Sequence, residues 1–123
     1  MSLELFYISG VPTGIFTGIL LPYILDFFAS TITKKMLRLI KILNLKTNGN
    51  SFLDNIKLPG NFFRQLLSEL DIPINLKEAG IPKSKLSSCS KNVLNLITSN
   101  SLFYTPKKVT KGDILDIYGK AYE

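Results

Sequence analysis

The run from Leu5 to Leu25 carries no charged side chain over its 21 residues. As one unbroken helix it would reach about 30 Å, the thickness of a bilayer's hydrocarbon core. Yet the run contains Gly10, Pro12, Gly14, Gly18 and Pro22, and Asp26 follows it directly. Pro12 fits the first turn of a helix, where its missing N–H leaves nothing unsatisfied. Pro22 lies in the interior, where it removes a hydrogen bond and crowds the preceding turn, so a kink or break is expected there. The segment reads as a helix over about residues 12–28, apolar nearly all round, which belongs at the centre of a core or in a membrane. The flanks do not suit a membrane: lysines begin only at Lys34, and the N-terminus has neither a basic stretch nor a small-residue cleavage site. Asp26 reads as a solvated or capping carboxylate that ends the apolar run.

The remaining segments need such a centre to pack on. Ile32, Met36, Leu39, Ile40 and Leu43 recur at helical spacing with Lys34, Lys35, Arg38 and Lys41 on the other faces. Ser30 or Thr31 is placed to cap that helix. Residues 46–50 are a loop by composition. Residues 51–58 predict a short helix or turn cut by Pro59-Gly60, after which Asn61 caps a helix lined by Phe62, Phe63, Leu66, Leu67 and Leu70. Asn75 caps one turn that ends at Gly80 in a left-handed C-cap. Pro82 opens a helix with Leu86, Cys89, Ser90, Val93, Leu94 and Ile97 on one face. Thr110 and Asp113 form a capping box with Asp in the Glu position, before a stripe of Ile114, Leu115, Tyr118 and Tyr122. No stretch alternates as a strand does. The expected fold class is all-α, a bundle of five to six helices forming a single domain over residues 1–123, with no membrane span.

The composition removes several chemistries. The chain has no histidine, which excludes Ser-His-Asp and Cys-His sites and any zinc site built on imidazole. One cysteine, Cys89, allows no internal disulfide and reads as a packed thiol. The formal net charge is +6, but 13 of the 15 basic residues are lysines spread along helices and turns. Arginine forks that read bases and phosphates are scarce, so no nucleic-acid partner is expected and the lysines read as a solvated surface.

Individually these helices are generic; their order and punctuation are not. Residues 10–28, GVPTGIFTGILLPYILDFF, resemble the segment of iron-containing (group III) alcohol dehydrogenases with the pattern P-H-G-x-x-N-A-x-x-L-P-x-V-x-x-F-N, matched at Pro12, Gly14, Leu21, Pro22 and Phe27. LDIPINLKEAGIPKSKL resembles a later stretch of that family, and FYTPKKVTKGDILDIYGKAY resembles its ending. The resemblance implies the family's C-terminal helical domain. In the complete enzymes it follows a nucleotide-binding domain, with NAD(P) and a divalent metal (Fe or Zn) in the cleft between them, and the pair moves a hydride between cofactor and alcohol or aldehyde. The histidine that ligates the metal in the pattern is Thr13 here, and Thr17 and Phe28 replace asparagines. The resemblance therefore assigns no catalytic, cofactor-binding or metal-ligating residue in this chain, and leaves Thr13, Gly14 and Thr17 as lining of the former cleft. It implies a cytoplasmic oxidoreductase-like domain without its nucleotide-binding half, a fragment or degenerate copy inactive alone. Its partners would be that half, upstream or on a separate chain, and a second copy in a homodimer. The alternative is a stand-alone protein-interaction module derived from the same domain.

Overall fold

The computed structural model describes residues 1–47, 51–100 and 103–123. They form seven α-helical segments: α1 (Ser2–Ser9), α2 (Thr13–Phe28), α3 (Thr33–Ile42), α4 (Phe52–Asn55), α5 (Leu58–Ser68), α6 (Leu86–Ser99) and α7 (Lys111–Lys120). No strand occurs among the described residues. The all-α class is thus the observed one, with α1 in addition to the helices expected.

The long uncharged run is divided rather than continuous. Gly10 ends α1 in the left-handed region at φ 72°, its N–H donating to the Phe6 carbonyl at 2.8 Å. A side chain there would be strained, which is why glycine stops the helix so sharply. Pro12 then serves as the N-cap of α2. At 16 residues, α2 spans about 24 Å. Among the described residues no helix is long and apolar enough to cross a membrane.

Instead α2 is the centre of the bundle, packing against α1, α5 and α7. Its Phe16, Ile19 and Leu20 are fully buried. Removing side chains of this size from water contributes about 1.5–3 kcal/mol each. Around them close Leu5 of α1, Leu67 of α5, Val93 of α6 and Ile114, Ile117 and Tyr118 of α7. A smaller cluster of Ala29, Met36 and Ile56 anchors α3 and the α4–α5 corner. Two bonds tie distant parts together: the Tyr118 hydroxyl donates to the Met1 carbonyl at 3.0 Å, and the Leu76 N–H donates to the Ala121 carbonyl at 2.9 Å.

Several local expectations hold. Asn75 Oδ1 accepts from the Glu78 N–H at 2.8 Å while Glu78 Oε2 accepts from the Ile74 N–H, and Gly80 closes the turn at φ 79°. The Thr110–Asp113 capping box is complete, each side chain accepting from the other residue's N–H. Cys89 and Ser90 are buried on α6, Ser90 Oγ donating to the Leu86 carbonyl at 2.8 Å.

Others are corrected. Pro22 does not break α2, because its ring is buried in the core and tertiary packing holds the helix through it. Pro59-Gly60 does not cut the chain either; both lie in the first turn of α5, where a proline loses no bond, so Asn61 is inside the helix rather than its cap. Ser30 and Thr31 do not cap α3, whose N-cap is Ile32; Ser51, a cap not expected, accepts from the Asp54 N–H. On α5 only Leu67 of the expected stripe is buried, and on α7 Ile117 is buried while Leu115 is 38% exposed. Lys46 and Thr47 lie outside the helices as a loop should; Asn48, Gly49 and Asn50 fall outside the described residues.

Candidate functional site

Thr13, Gly14 and Thr17 are brought together on the first turns of α2, and all three are exposed. Thr13 and Thr17 are four apart and therefore share a face. Thr17 Oγ1 is hydrogen-bonded to the Thr13 carbonyl at 2.9 Å and to Ser2 Oγ of α1 at 3.1 Å. Nothing lies within 4 Å of where a Cβ on Gly14 would stand. Gly18, one turn on, is different: a Cβ there would meet Leu67 Cδ1 of α5 at 3.3 Å. The two glycines four apart thus do separate things. Gly18 admits a neighbouring helix, and Gly14 leaves a bare stretch of backbone facing outward.

This end of the bundle has hydroxyls but no imidazole to activate them. The nearest acid on α1, Glu4, accepts from Asn92 Nδ2 of α6 at 3.1 Å. Cys89 is buried, and desolvation, followed by the charge of Glu4, pushes its thiol above the ordinary value. It is a packed thiol rather than a nucleophile. Among the described residues no three His, Cys, Asp or Glu side chains come together as a metal would require.

The other end of α2 carries the structure's principal ion pair. Asp26 Oδ2 accepts from Arg64 Nη1 of α5 at 2.9 Å, and the guanidinium also lies over the Tyr23 ring, 5.4 Å from its centroid. The side chains are 28% and 34% exposed, so Asp26 is half-buried rather than solvated as expected. Its Oδ1 is buried without a hydrogen-bond partner and packs against Gly60. A cleft of about 420 Å³ opens beside it, lined by Tyr23, Phe27, Lys57 and Lys120 among others. Its charges are largely matched, Lys120 pairing with Asp116 at 2.7 Å. Sequence reasoning missed this pair. The available signal was a lone carboxylate at the end of an apolar helix, which requires a partner when buried.

Residues 1–122 match the sequence profile of the Fe-containing alcohol dehydrogenase family, C-terminal. The chain belongs to this family. It is similar to the NADPH-dependent butanol dehydrogenase of Clostridium saccharobutylicum, 26% identical over 117 residues, covering 91% of this chain and 29% of the relative. It is also similar to long-chain-alcohol dehydrogenase 1 of Geobacillus thermodenitrificans (strain NG80-2), 28% identical over 108 residues, covering 85% of this chain and 26% of the relative. Among solved structures, the alcohol dehydrogenase from Oenococcus oeni superposes with a TM-score of 0.85 at 26% identity, over 98% of this chain and 31% of that one. A 1,3-propanediol oxidoreductase superposes equally well at 18% identity, which establishes shared fold. The chain thus spans under a third of the length of the curated relatives it matches.

The family is described by its iron, and the donors at the α2 N-terminus do not fit one. Thr13, Thr17 and Ser2 present neutral hydroxyls, poor ligands for a divalent transition metal beside the imidazole of the family pattern.

Proposed function

We propose that this chain is the helical part of an alcohol dehydrogenase-like oxidoreductase that works only together with a nucleotide-binding domain, carried upstream or on a separate polypeptide. The observation that carries the reading is the match of residues 1–122 to the family's C-terminal region. Thr13, Gly14 and Thr17 line the cleft facing that domain, where Gly14 leaves backbone open to close approach. In place of a metal ligand, Thr13 offers a hydroxyl that can hydrogen-bond a substrate or water but cannot take up a proton near neutrality. A metal in such a cleft would depend on donors from outside this chain, and Thr13 marks a degenerate copy of the site. The proposed setting is the cytoplasm, as a single domain.

Alone, the chain should neither bind NAD(P) tightly nor oxidise alcohol. Thermal unfolding with and without Zn²⁺, Fe²⁺ and NADPH tests this, because any ligand that binds only the folded state raises the melting temperature. No shift is the expected result, together with no NADPH formation from NADP and butanol. A rise of several degrees with metal or cofactor would overturn the reading. Recovery of a partner unrelated to oxidoreductases in a pull-down would favour a stand-alone interaction module instead.

A further inference from the structure

We propose that the outer face of α1, formed by Leu3, Phe6 and Tyr7, is the surface on which the segment preceding the matched region in the relatives docks. This rests on the reading above that the chain works with such a segment. Five of the eight residues of α1 are large and apolar, yet only Leu5 is buried in the core. Leu3 is 50% exposed and Tyr7 is 71% exposed, and the Phe6 and Tyr7 rings stand 5.7 Å apart. The spacing of three and four residues puts these side chains on one stripe. Glu4 does not interrupt it, being hydrogen-bonded toward Asn92 on α6. A helix that directs most of its apolar surface outward is the signature of a covered face, because isolated exposed residues are ordinary but contiguous ones mark contacts.

The relatives indicate what covers it. The match takes up 29%, 26% and 31% of three of them and falls on the family's C-terminal region, so most of each relative precedes it. In those proteins the preceding segment therefore joins near the residues that open α1. The stripe also adjoins the exposed start of α2, since Ser2 and Thr17 are hydrogen-bonded at 3.1 Å. One docked segment could therefore reach Thr13 and Gly14. A second copy of this chain fits less well, because two molecules of net charge +6 repel each other.

The test joins the preceding segment of the Clostridium saccharobutylicum NADPH-dependent butanol dehydrogenase to Met1 and compares that chimera with the chain alone. Tyr7→Cys reports the stripe, and Ile42→Cys, at a 69% exposed position on α3, serves as the control. Buried Cys89 contributes a slow background measured on the parent proteins. Maleimide labelling of Tyr7→Cys should be at least about tenfold slower in the chimera, as expected for a site that opens only by local unfolding, with Ile42→Cys unchanged. Equal labelling of Tyr7→Cys in a chimera that binds NADPH overturns the docking face and leaves the family reading intact. Protection already present in the chain alone, with sedimentation as a dimer, overturns it in favour of self-association. If the chimera does not bind NADPH, the preceding segment is added as a separate chain. Absence of protection in that mixture overturns the proposal along with the reading beneath it.

Discussion

Replacing Gly60 by alanine should destabilise the fold, although the substitution improves helix propensity. Gly60 lies in the first turn of α5 and is not among the residues of positive φ. At a roomy helical position, alanine is favoured over glycine by about 0.5–1 kcal/mol. Here the new Cβ would meet the Asp26 carboxyl well inside contact distance, with Cγ at 3.0 Å and the Pro22 carbonyl at 3.1 Å. The Pro22 carbonyl is backbone within α2 and cannot turn aside, so relief requires Asp26 to swing out or α5 to shift. Overpacking of this kind costs about 1–3 kcal/mol. Displacing Asp26 also weakens its bond to Arg64, a partly exposed pair worth up to about 1 kcal/mol after solvent screening. The net expectation is a loss of about 2 kcal/mol, or a melting temperature lower by roughly 8 °C at about 4 °C per kcal/mol. Thermal unfolding by far-ultraviolet circular dichroism measures it. Gly119→Ala on α7, where no atom lies within 4 Å of the new Cβ, is the matched control and should be neutral or slightly stabilising. In the double variant Gly60→Ala with Asp26→Ala, the two changes should couple by about 1 kcal/mol, since removing the carboxyl relieves its part of the clash and leaves only the Pro22 carbonyl at 3.1 Å. Gly60→Ala melting with or above the parent would refute the close approach of α2 and α5.

Two further outcomes follow from the hydrogen bonds at either end of α7. The Thr110 hydroxyl, and after it the Thr110 N–H, hold the Asp113 carboxyl below its ordinary 3.8. The depressed value means that this stabilisation is present above pH 3.8 and is lost as pH falls through the folded-state value. Melting curves recorded down to acid should therefore show a shallower acid loss for Asp113→Asn. Burial, with the nearby Cys89 and Glu4 secondary, pushes the Tyr118 phenol far above its ordinary 10.0, so the corresponding stability is intact below pH 10 and is lost as pH rises beyond it. Tyr118→Phe removes the 3.0 Å bond to the Met1 carbonyl. It should cost about 1 kcal/mol near neutrality and flatten the alkaline limb of the melting profile.

Much of this fold could be read from the chain because its signals are local. Asn75, Glu78 and Gly80 close their turn using side chains within five residues of one another, and Thr110 with Asp113 does the same. Burial was less legible where it depends on distant elements. Leu66 and Leu70 have the spacing of a buried stripe, but α5 meets α2 through Gly60 and Leu67, which leaves them outward. The local cost of Pro22 points to a kink or break, whereas α2 continues through it as one helix with the ring buried in the core. The α1 helix was missed because its apolar residues follow no inward stripe; one faces the core and the others face out. At the candidate site, Thr13, Gly14 and Thr17 were marked only by the family resemblance, and the structure sets them on the first turns of one exposed helix end. The Asp26–Arg64 pair was not, since it joins residues 38 apart in sequence.

The same helix shows why fold and chemistry can part company. Phe16, Ile19 and Leu20 point into the core and hold α2, whereas Thr13, Gly14 and Thr17 stand at the surface and contribute little to packing. A change of side chain at position 13 should therefore leave the bundle intact. Thr13→His is expected to stay within about 0.5 kcal/mol of the parent above neutral pH, as exposed substitutions do. Below neutrality the protonated ring faces the positive end of the α2 dipole, a penalty of about 0.3–1 kcal/mol that melting curves at two pH values can resolve. An imidazole introduced there should not by itself bring micromolar Zn²⁺ binding by calorimetry, because among the described residues no three ligating side chains converge. A loss of more than about 1.5 kcal/mol at neutral pH would show that Thr13 is held by packing. The histidine of the family pattern would then be missing because this fold cannot accommodate it, not because the site's chemistry was dispensable.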